Sequence, residues 1–258
     1  MGSRRRTFAS SSSDSQPESG SGVRSEAMHR VYQSPRRVRR KARSLWTASV
    51  VHVIDADIVQ WTRPADERAG TPLLVTMHGV GSNERDLLGL APALPSAWTI
   101  ASLRAPMPWG PGFSWYPLGT PGSPALEPVD AAVEGVLDWI DSVAADHPRI
   151  GLLGFSQGGS MALQLLRARP GAFAFAVSLS GFVVPGVTDS RDGAVATVRP
   201  RVFLGHGDLD PVIPAEATAR TRAWAAAHTD VTDRTYAGLP HAVSAEELAD
   251  VATFMNAS

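Results

Sequence analysis

Five residues, Gly154-Phe155-Ser156-Gln157-Gly158, constrain this chain more than any other stretch. The apolar run Ile150 to Phe155 leads into the serine and reads as a buried strand. From Gln157 to about Arg169, Met161, Leu165 and Leu166 fall on one helical face. A serine with glycines two before and two after, set between a strand and a helix, has the pattern of a nucleophile elbow. The reason is steric: so sharp a turn strains the serine backbone, and a Cβ at 154 or 158 would collide with the neighbouring strand and helix. The strain lifts the hydroxyl clear of the sheet edge. The new helix aims free N–H groups at an oxygen that turns negative during acyl transfer. The five-residue pattern alone arises by chance; the flanking strand and helix give it meaning.

The rest of the chain supplies a sheet for this turn to sit on. Leu73 to Met77, Trp98 to Leu103, Phe173 to Leu179, Val202 to Gly205 and Val231 to Tyr236 read as further strands. Ser49 to Val53 and Ile58 to Trp61 read as an edge hairpin around Asp55-Ala56-Asp57. Val129, Ala132, Val133, Val136, Leu137, Ile140, Val143 and Ala144 repeat at helical spacing with Pro128 near the start, which predicts an amphipathic helix. Its acidic face, Asp130, Glu134, Asp138 and Asp141, reads as solvated. Strand–helix–strand order implies a mostly parallel sheet flanked by helices, an α/β fold. Only nineteen residues separate Gly181 from the strand near Arg201, too few for a cap domain, so an open site is expected.

Candidate functional residues fall at the strand ends. His78-Gly79-Val80-Gly81 closes the Leu73 strand. It reads either as a plain turn or as half of an oxyanion hole, with the Val80 N–H as one donor and the Gln157 N–H as the other. His78 reads as a structural hydrogen-bonder. Ser82 to Asp86 opens a short helix, Leu87 to about Ala91, with Asn83 as its cap. Residues 106–128 are crowded with Pro and Gly and carry Trp109, Phe113, Trp115 and Tyr116. These aromatics form either an apolar wall for substrate or a buried packing loop. Asp208 and Asp210 both sit where the acid of a Ser…Asp…His set belongs. Asp208 suits a turn former, and Asp210, before Pro211, can lean over the sheet edge. His241 lies on the last loop, before the capping box Ser244 to Glu247, where a general base could reach Ser156. His29, His52, His147 and His228 sit where no chemistry is expected of them.

Composition closes several routes. The 258 residues are 43% hydrophobic and carry a net charge of −1, so nothing suggests a polyanionic partner. There is no cysteine, which removes disulfides, thiolate metal sites and thiol nucleophiles. No apolar run approaches the ~18 residues of a membrane span. Residues 1–45 form a Ser-rich, basic stretch with eleven Lys/Arg against three carboxylates, including Arg36-Arg37-Val38-Arg39-Arg40-Lys41. It is expected to be disordered, with the folded domain at 46–258. It could bind nucleic acid or an anionic membrane, or address the chain. No apolar core follows Arg4-Arg5-Arg6, so a secretory signal is not expected and the cytoplasm is the expected location. The plainer reading is an extension without function, with Met28 as a candidate start.

Taken together the motifs resemble the phospholipase/carboxylesterase family of α/β-hydrolases, which includes acyl-protein thioesterases. They are His78-Gly79-Val80-Gly81-Ser82-Asn83-Glu84, Phe113-Ser114-Trp115-Tyr116, Gly154 to Gly159, His206 to Pro214, and Leu239-Pro240-His241. The resemblance implies an α/β-hydrolase fold without a cap. It implies Ser156 as nucleophile, Asp210 rather than Asp208 as acid, His241 as base, and Val80 and Gln157 as oxyanion donors. It implies no cofactor or metal and a small-molecule ester as substrate. No nucleic acid partner and no stable membrane insertion are expected, and a homodimer stays open. The Ser82-Asn83-Glu84 step is more like the bacterial carboxylesterase branch. The expected activity is cleavage of short- to medium-chain carboxylic esters. The alternatives are a thioesterase or lysophospholipase on the same scaffold, or a non-catalytic binding protein.

Overall fold

The computed structural model describes residues 53–187 and 189–257. Nine strands are described: β1 (Gln60–Trp61), β2 (Leu73–Met77), β3 (Thr99–Leu103), β4 (Met107–Trp109), β5 (Gly112–Ser114), β6 (Ile150–Phe155), β7 (Phe175–Leu179), β8 (Arg201–Gly207) and β9 (Asp230–Tyr236). Seven form one sheet in the order β1-β3-β2-β6-β7-β8-β9, and β4-β5 pair separately. Only β1 runs antiparallel in the large sheet. The chain moves outward from β2 to β3, then crosses back and moves the other way through β6, β7, β8 and β9. The reversal falls between β2 and β6, where loops at the carboxyl ends diverge and leave a crevice.

Five α-helices are described: α1 (Leu126–Val143), α2 (Gln157–Ala168), α3 (Asp189–Val198), α4 (Ala215–His228) and α5 (Ala245–Asn256). Residues alternate across each strand, so the two sheet faces build two cores. Leu73, Val75 and Met77 pack on one face with Val136, Met161, Leu165 and Trp224 from α1, α2 and α4. Leu74, Ile100, Leu153 and Phe203 pack on the other with Val251 and Phe254 of α5 and the turn bearing Leu87 and Leu90. The β2 and β6 runs are buried at every residue, as strands covered on both faces should be.

Several local expectations are corrected. The edge position of β1 stands, but residues 53–59 form a turn rather than a strand. The other arm of the expected hairpin, at 49–52, and the basic stretch at 1–45 lie outside the described residues. Leu87–Ala93 is a 3-10 helix with Asp86 in the cap position, not an α-helix capped by Asn83. Asn83 Oδ1 instead accepts from the Arg85 N–H at 3.0 Å, closing a local turn. Residues 182–200 hold α3, which the sequence reading lacked. It is no cap: Asp192 accepts from Arg167 of α2 and from Trp224 of α4, which seats α3 in the helix layer. The acidic face of α1 is partly paired, Asp130 with Arg191 and Asp141 with Arg169. Among the described residues no helix is long and apolar enough to cross a membrane.

The capping box is half made. Ser244 Oγ accepts from the Glu247 N–H at 3.0 Å, and the Glu247 carboxyl faces the Ser244 backbone N–H without closing a full hydrogen bond. It is 1% exposed and neither oxygen has a hydrogen-bond partner among the described residues. It points at β8, where a Cβ on Gly205 would sit 2.1 Å from Oε1. Burial pushes its pKa up to about 8, and the charge of Asp250 adds to the rise. Because its folded-state value lies above the unfolded one, the contribution of this group to stability is full below about pH 4.5 and is lost as pH rises through 8. The slope attributable to this group approaches ~1.4 kcal/mol per pH unit. Glu247→Gln, which cannot ionise, is expected to flatten it. Urea unfolding at pH 5 and pH 8.5 reads this directly, and equal slopes in both proteins would exclude a buried neutral carboxyl.

Candidate active site

Ser156 lies between β6 and α2 with φ 55° and ψ −116°, a conformation that L-residues rarely adopt. Its N–H donates to the Leu179 carbonyl at 2.8 Å, and its carbonyl accepts from Ser160 at 3.0 Å. These bonds hold the strain from both sides. A Cβ on Gly154 would meet the Gly158 oxygen at 2.0 Å, and one on Gly158 would meet the Met77 oxygen at 1.9 Å. The two glycines therefore let the start of α2 pass directly over the ends of β6 and β2.

Ser156, Asp210 and His241 come together. His241 Nε2 lies 2.9 Å from Ser156 Oγ, and His241 Nδ1 lies 2.7 Å from Asp210 Oδ2. The Asp210 side chain is 1% exposed, and its Oδ1 accepts from the Val212 and Ile213 N–H groups at 2.8 and 3.1 Å. Burial alone would raise its pKa. The His241 hydrogen bond and charge, with the two backbone donors, outweigh burial and hold the carboxyl below its ordinary range. Asp208 does what a turn former does: Oδ1 accepts from the Gly238 N–H at 2.6 Å. Asp208 N also donates to Tyr236 O, and Leu209 N to Leu239 O, both at 3.1 Å. The Asp210 and His241 loops are thus joined along their backbones. His206, to which the sequence reading gave no role, puts Nε2 3.8 Å from Asp210 Oδ2. Burial lowers its pKa despite that carboxylate.

The turn after β2 sits beside the elbow. Gly81 N donates to Phe113 O at 2.8 Å, and Phe113 N donates to Ser82 O at 2.9 Å. The β4–β5 hairpin is therefore clamped to the turn. The Val80 N–H has no acceptor among the described residues. The Gln157 N–H opens α2, where the first N–H groups lack an intrahelical partner. His78 is fully buried and structural. Its Nδ1 bonds Gly79 O at 2.7 Å while Nε2 accepts from Ala105 N at 3.1 Å. Burial lowers its pKa to about 4, so the ring is neutral. Glu84 and Arg104 brace the same turn through paired hydrogen bonds of 2.6 Å, with Arg104 over the Phe113 ring.

The aromatic stretch divides. Trp115 is fully buried and donates Nε1 to His78 O at 2.8 Å, so it packs rather than lines a site. Tyr116 is 2% exposed and lines the pocket on the Gln157 side. Phe113 is half-buried against Arg104, and Trp109 is exposed on the hairpin. A substrate wall made of all four is thereby corrected. The sequence reading also missed the Gln157 side chain. Oε1 accepts from Trp115 N at 2.9 Å, and Nε2 donates to Tyr116 O at 2.9 Å and to Ser114 Oγ at 3.1 Å. Its partners lie about forty residues away, beyond any local signal.

Two shallow, solvent-open pockets lie beside the site, one against Gln157 and one against His241. The first lies under Tyr116, Leu118, Pro121, Pro124 and Phe182. Arg220 of α4 donates to the Gly122 carbonyl and seats this loop. The second is walled by Leu87, Leu90, Phe155 and Val243 beside His241. No group of three or more His, Asp or Glu among the described residues is arranged to hold a metal ion.

The sheet order, the turn at Ser156 and the loops at the carboxyl edge define an α/β-hydrolase. The carboxylesterase from Bacillus cereus superposes with a TM-score of 0.67 at 21% identity, covering 78% of this chain and 94% of that one. Esterase PE8 superposes with a TM-score of 0.65 at 24% identity, covering 80% and 99%. Residues 127–258 match the profile of the phospholipase/carboxylesterase family, and the chain belongs to that family. Acyl-protein thioesterase 1 of Saccharomyces cerevisiae is 31% identical over 109 residues, 41% of this chain and 48% of that protein. Esterase YpfH of Escherichia coli is 29% identical over 188 residues, 69% of this chain and 78% of the relative. The match thus spans about half the length of the yeast protein.

If Gln157 ties the aromatic loop to the elbow, Gln157→Met should keep the volume and leave the buried Trp115 N–H without its acceptor, while the Tyr116 carbonyl keeps the Ser114 hydroxyl at 2.6 Å. The expected cost is about 1–3 kcal/mol. Urea unfolding followed by tryptophan fluorescence measures it. A change below about 0.5 kcal/mol would mean that the loop is held by other contacts.

Proposed function

We propose that this chain is a carboxylic ester hydrolase that works through an acyl-enzyme on Ser156. The observation that carries the reading is the unbroken run from Ser156 Oγ to His241 Nε2, at 2.9 Å, and from His241 Nδ1 to Asp210, at 2.7 Å. His241 takes the serine proton as Oγ attacks the ester carbonyl. Asp210 keeps the proton on Nδ1, so that Nε2 is the base, and then stabilises the imidazolium. The Val80 and Gln157 N–H groups, both without an acceptor among the described residues, suit the oxyanion. His241 returns its proton to the leaving oxygen. Water, activated by the same ring, then attacks the acyl-enzyme and frees the acid and Ser156.

The small pocket on the Gln157 side favours acyl chains of short to medium length. A second reading, hydrolysis of a thioester, draws on the names of the yeast relatives. Matched oxygen- and thioesters of one acid separate the two. A chain-length series from acetate to palmitate tests the acyl preference, and an optimum at palmitate would go against it.

Ser156→Ala should lower ester turnover by about 10³-fold or more with an unchanged circular dichroism spectrum. A variant that kept a tenth of the wild-type rate would remove Ser156 from the chemistry. Fluorophosphonate labelling should occur on the wild type and vanish in the variant. Failure of the wild type to label would favour a binding protein on a hydrolase scaffold.

A further inference from the structure

The second pocket lies against His241 and against Phe155, the residue before Ser156. Leu87, Leu90, Phe155 and Val243 supply an apolar wall, with the Phe155 ring 4.9 Å from the His241 ring. One carboxylate interrupts that wall. Asp86 lines the pocket half-buried, and its side chain makes no hydrogen bond or ion pair among the described residues. The neighbouring charges are disposed of elsewhere. Glu84 is held at 2.6 Å by Arg104, and the Arg85 side chain is 79% exposed. Asp86 is therefore the uncompensated charge that a molecule in this pocket meets.

We propose that this pocket receives the leaving group of the ester, and that Asp86 selects leaving groups in which a positive charge is carried on a short apolar stem. The inference rests on the hydrolase reading and adds the substrate class to it. The assignment of the pocket follows from proton transfer. His241 Nε2 must protonate the departing oxygen, so that oxygen lies within hydrogen-bond reach of the ring while the acyl oxygen faces the Gln157 amide. The group attached to the departing oxygen then extends past His241 into the space walled by Phe155, Leu87 and Val243. The apolar lining takes the stem, and Asp86 attracts a cation and repels an anion at its far end.

Three esters of one short acid test this: choline, its uncharged isostere 3,3-dimethylbutanol, and 4-hydroxybutyrate as an anionic alcohol. The kcat/KM for the choline ester should exceed that of the isostere by about fivefold, and the anionic ester should fall below it by a similar factor. Asp86→Asn should bring the choline-to-isostere ratio to about one, and Asp86→Lys should invert it. Ratios between isosteres cancel any change in overall rate. A preference that survives Asp86→Asn, or a wild type that does not discriminate, overturns the inference.

Binding decides it without turnover. Ser156→Ala should bind choline about fivefold more tightly than the Ser156→Ala, Asp86→Asn double variant, with 3,3-dimethylbutanol bound alike by both. Equal choline affinity refutes the role of Asp86. If none of the three esters is hydrolysed, the hydrolase reading falls, and this titration still decides what Asp86 does.

Discussion

The close approach of Gly158 to the last carbonyl of β2 sets the spacing on which the rest of the site depends. With only 1.9 Å between a virtual Cβ at 158 and the Met77 oxygen, α2 can start here only from a residue without a side chain. That contact brings two polypeptide ends into one place: the Val80 turn, which continues β2, and the first amides of α2. Ser156 is held between them in a backbone conformation that it would not choose alone. The bonds from Ser156 N to β7 and from Ser160 N back to Ser156 supply the opposing force. The neighbouring strands, β2 and β7, thus fix where the hydroxyl stands, as much as β6 itself.

The large elements and the three polar side chains at the crevice were legible in the sequence because each carries a local signature. The strand at 150–155 is an unbroken apolar run, that at 73–77 is apolar but for Thr76, and α1 repeats its apolar residues at helical spacing. The order serine, aspartate, histidine along the chain, each just past a strand end, narrows the choice further. What escaped was settled by partners distant in sequence. Trp115 reads equally well as a substrate wall or as a buried loop residue, and distant partners decide for burial: its indole N–H and backbone N–H are claimed by His78 and Gln157. Helix α3 has a single buried apolar side chain, Val195, among the hydrophobic residues of the core. It is held through Asp192 and Arg191 to three other helices, so no apolar stripe could announce it. Asn83 has the composition of a cap but bonds its own turn, because the chain delays the helix to Leu87.

The hairpin at β4–β5 shows how a loop rich in proline can become a rigid part of a site without lining it. Gly112 lies against the Gly81 carbonyl so tightly that a Cβ would stand 2.3 Å from it. Phe113 makes a two-way backbone bridge to Gly81 and Ser82. Arg104 covers the Phe113 ring and holds Glu84. Each of these contacts immobilises the glycine turn, whose own sequence gives it little stiffness. Preorganisation of the Val80 amide is therefore the work of residues thirty positions further along the chain.

The loops that follow β8 and β9 are stitched to one another before either meets Ser156. Two backbone bonds, from Asp208 to Tyr236 and from Leu209 to Leu239, and the Asp208 side chain on Gly238 continue the sheet's pairing beyond its formal end. Carboxylate and imidazole ride on one stiff bracket, whereas the hydroxyl belongs to another. Thermal breathing of the crevice must then act as a hinge between brackets. It stretches the link from imidazole to hydroxyl and leaves the tautomer-fixing link intact, so the ring keeps its orientation each time the gap closes.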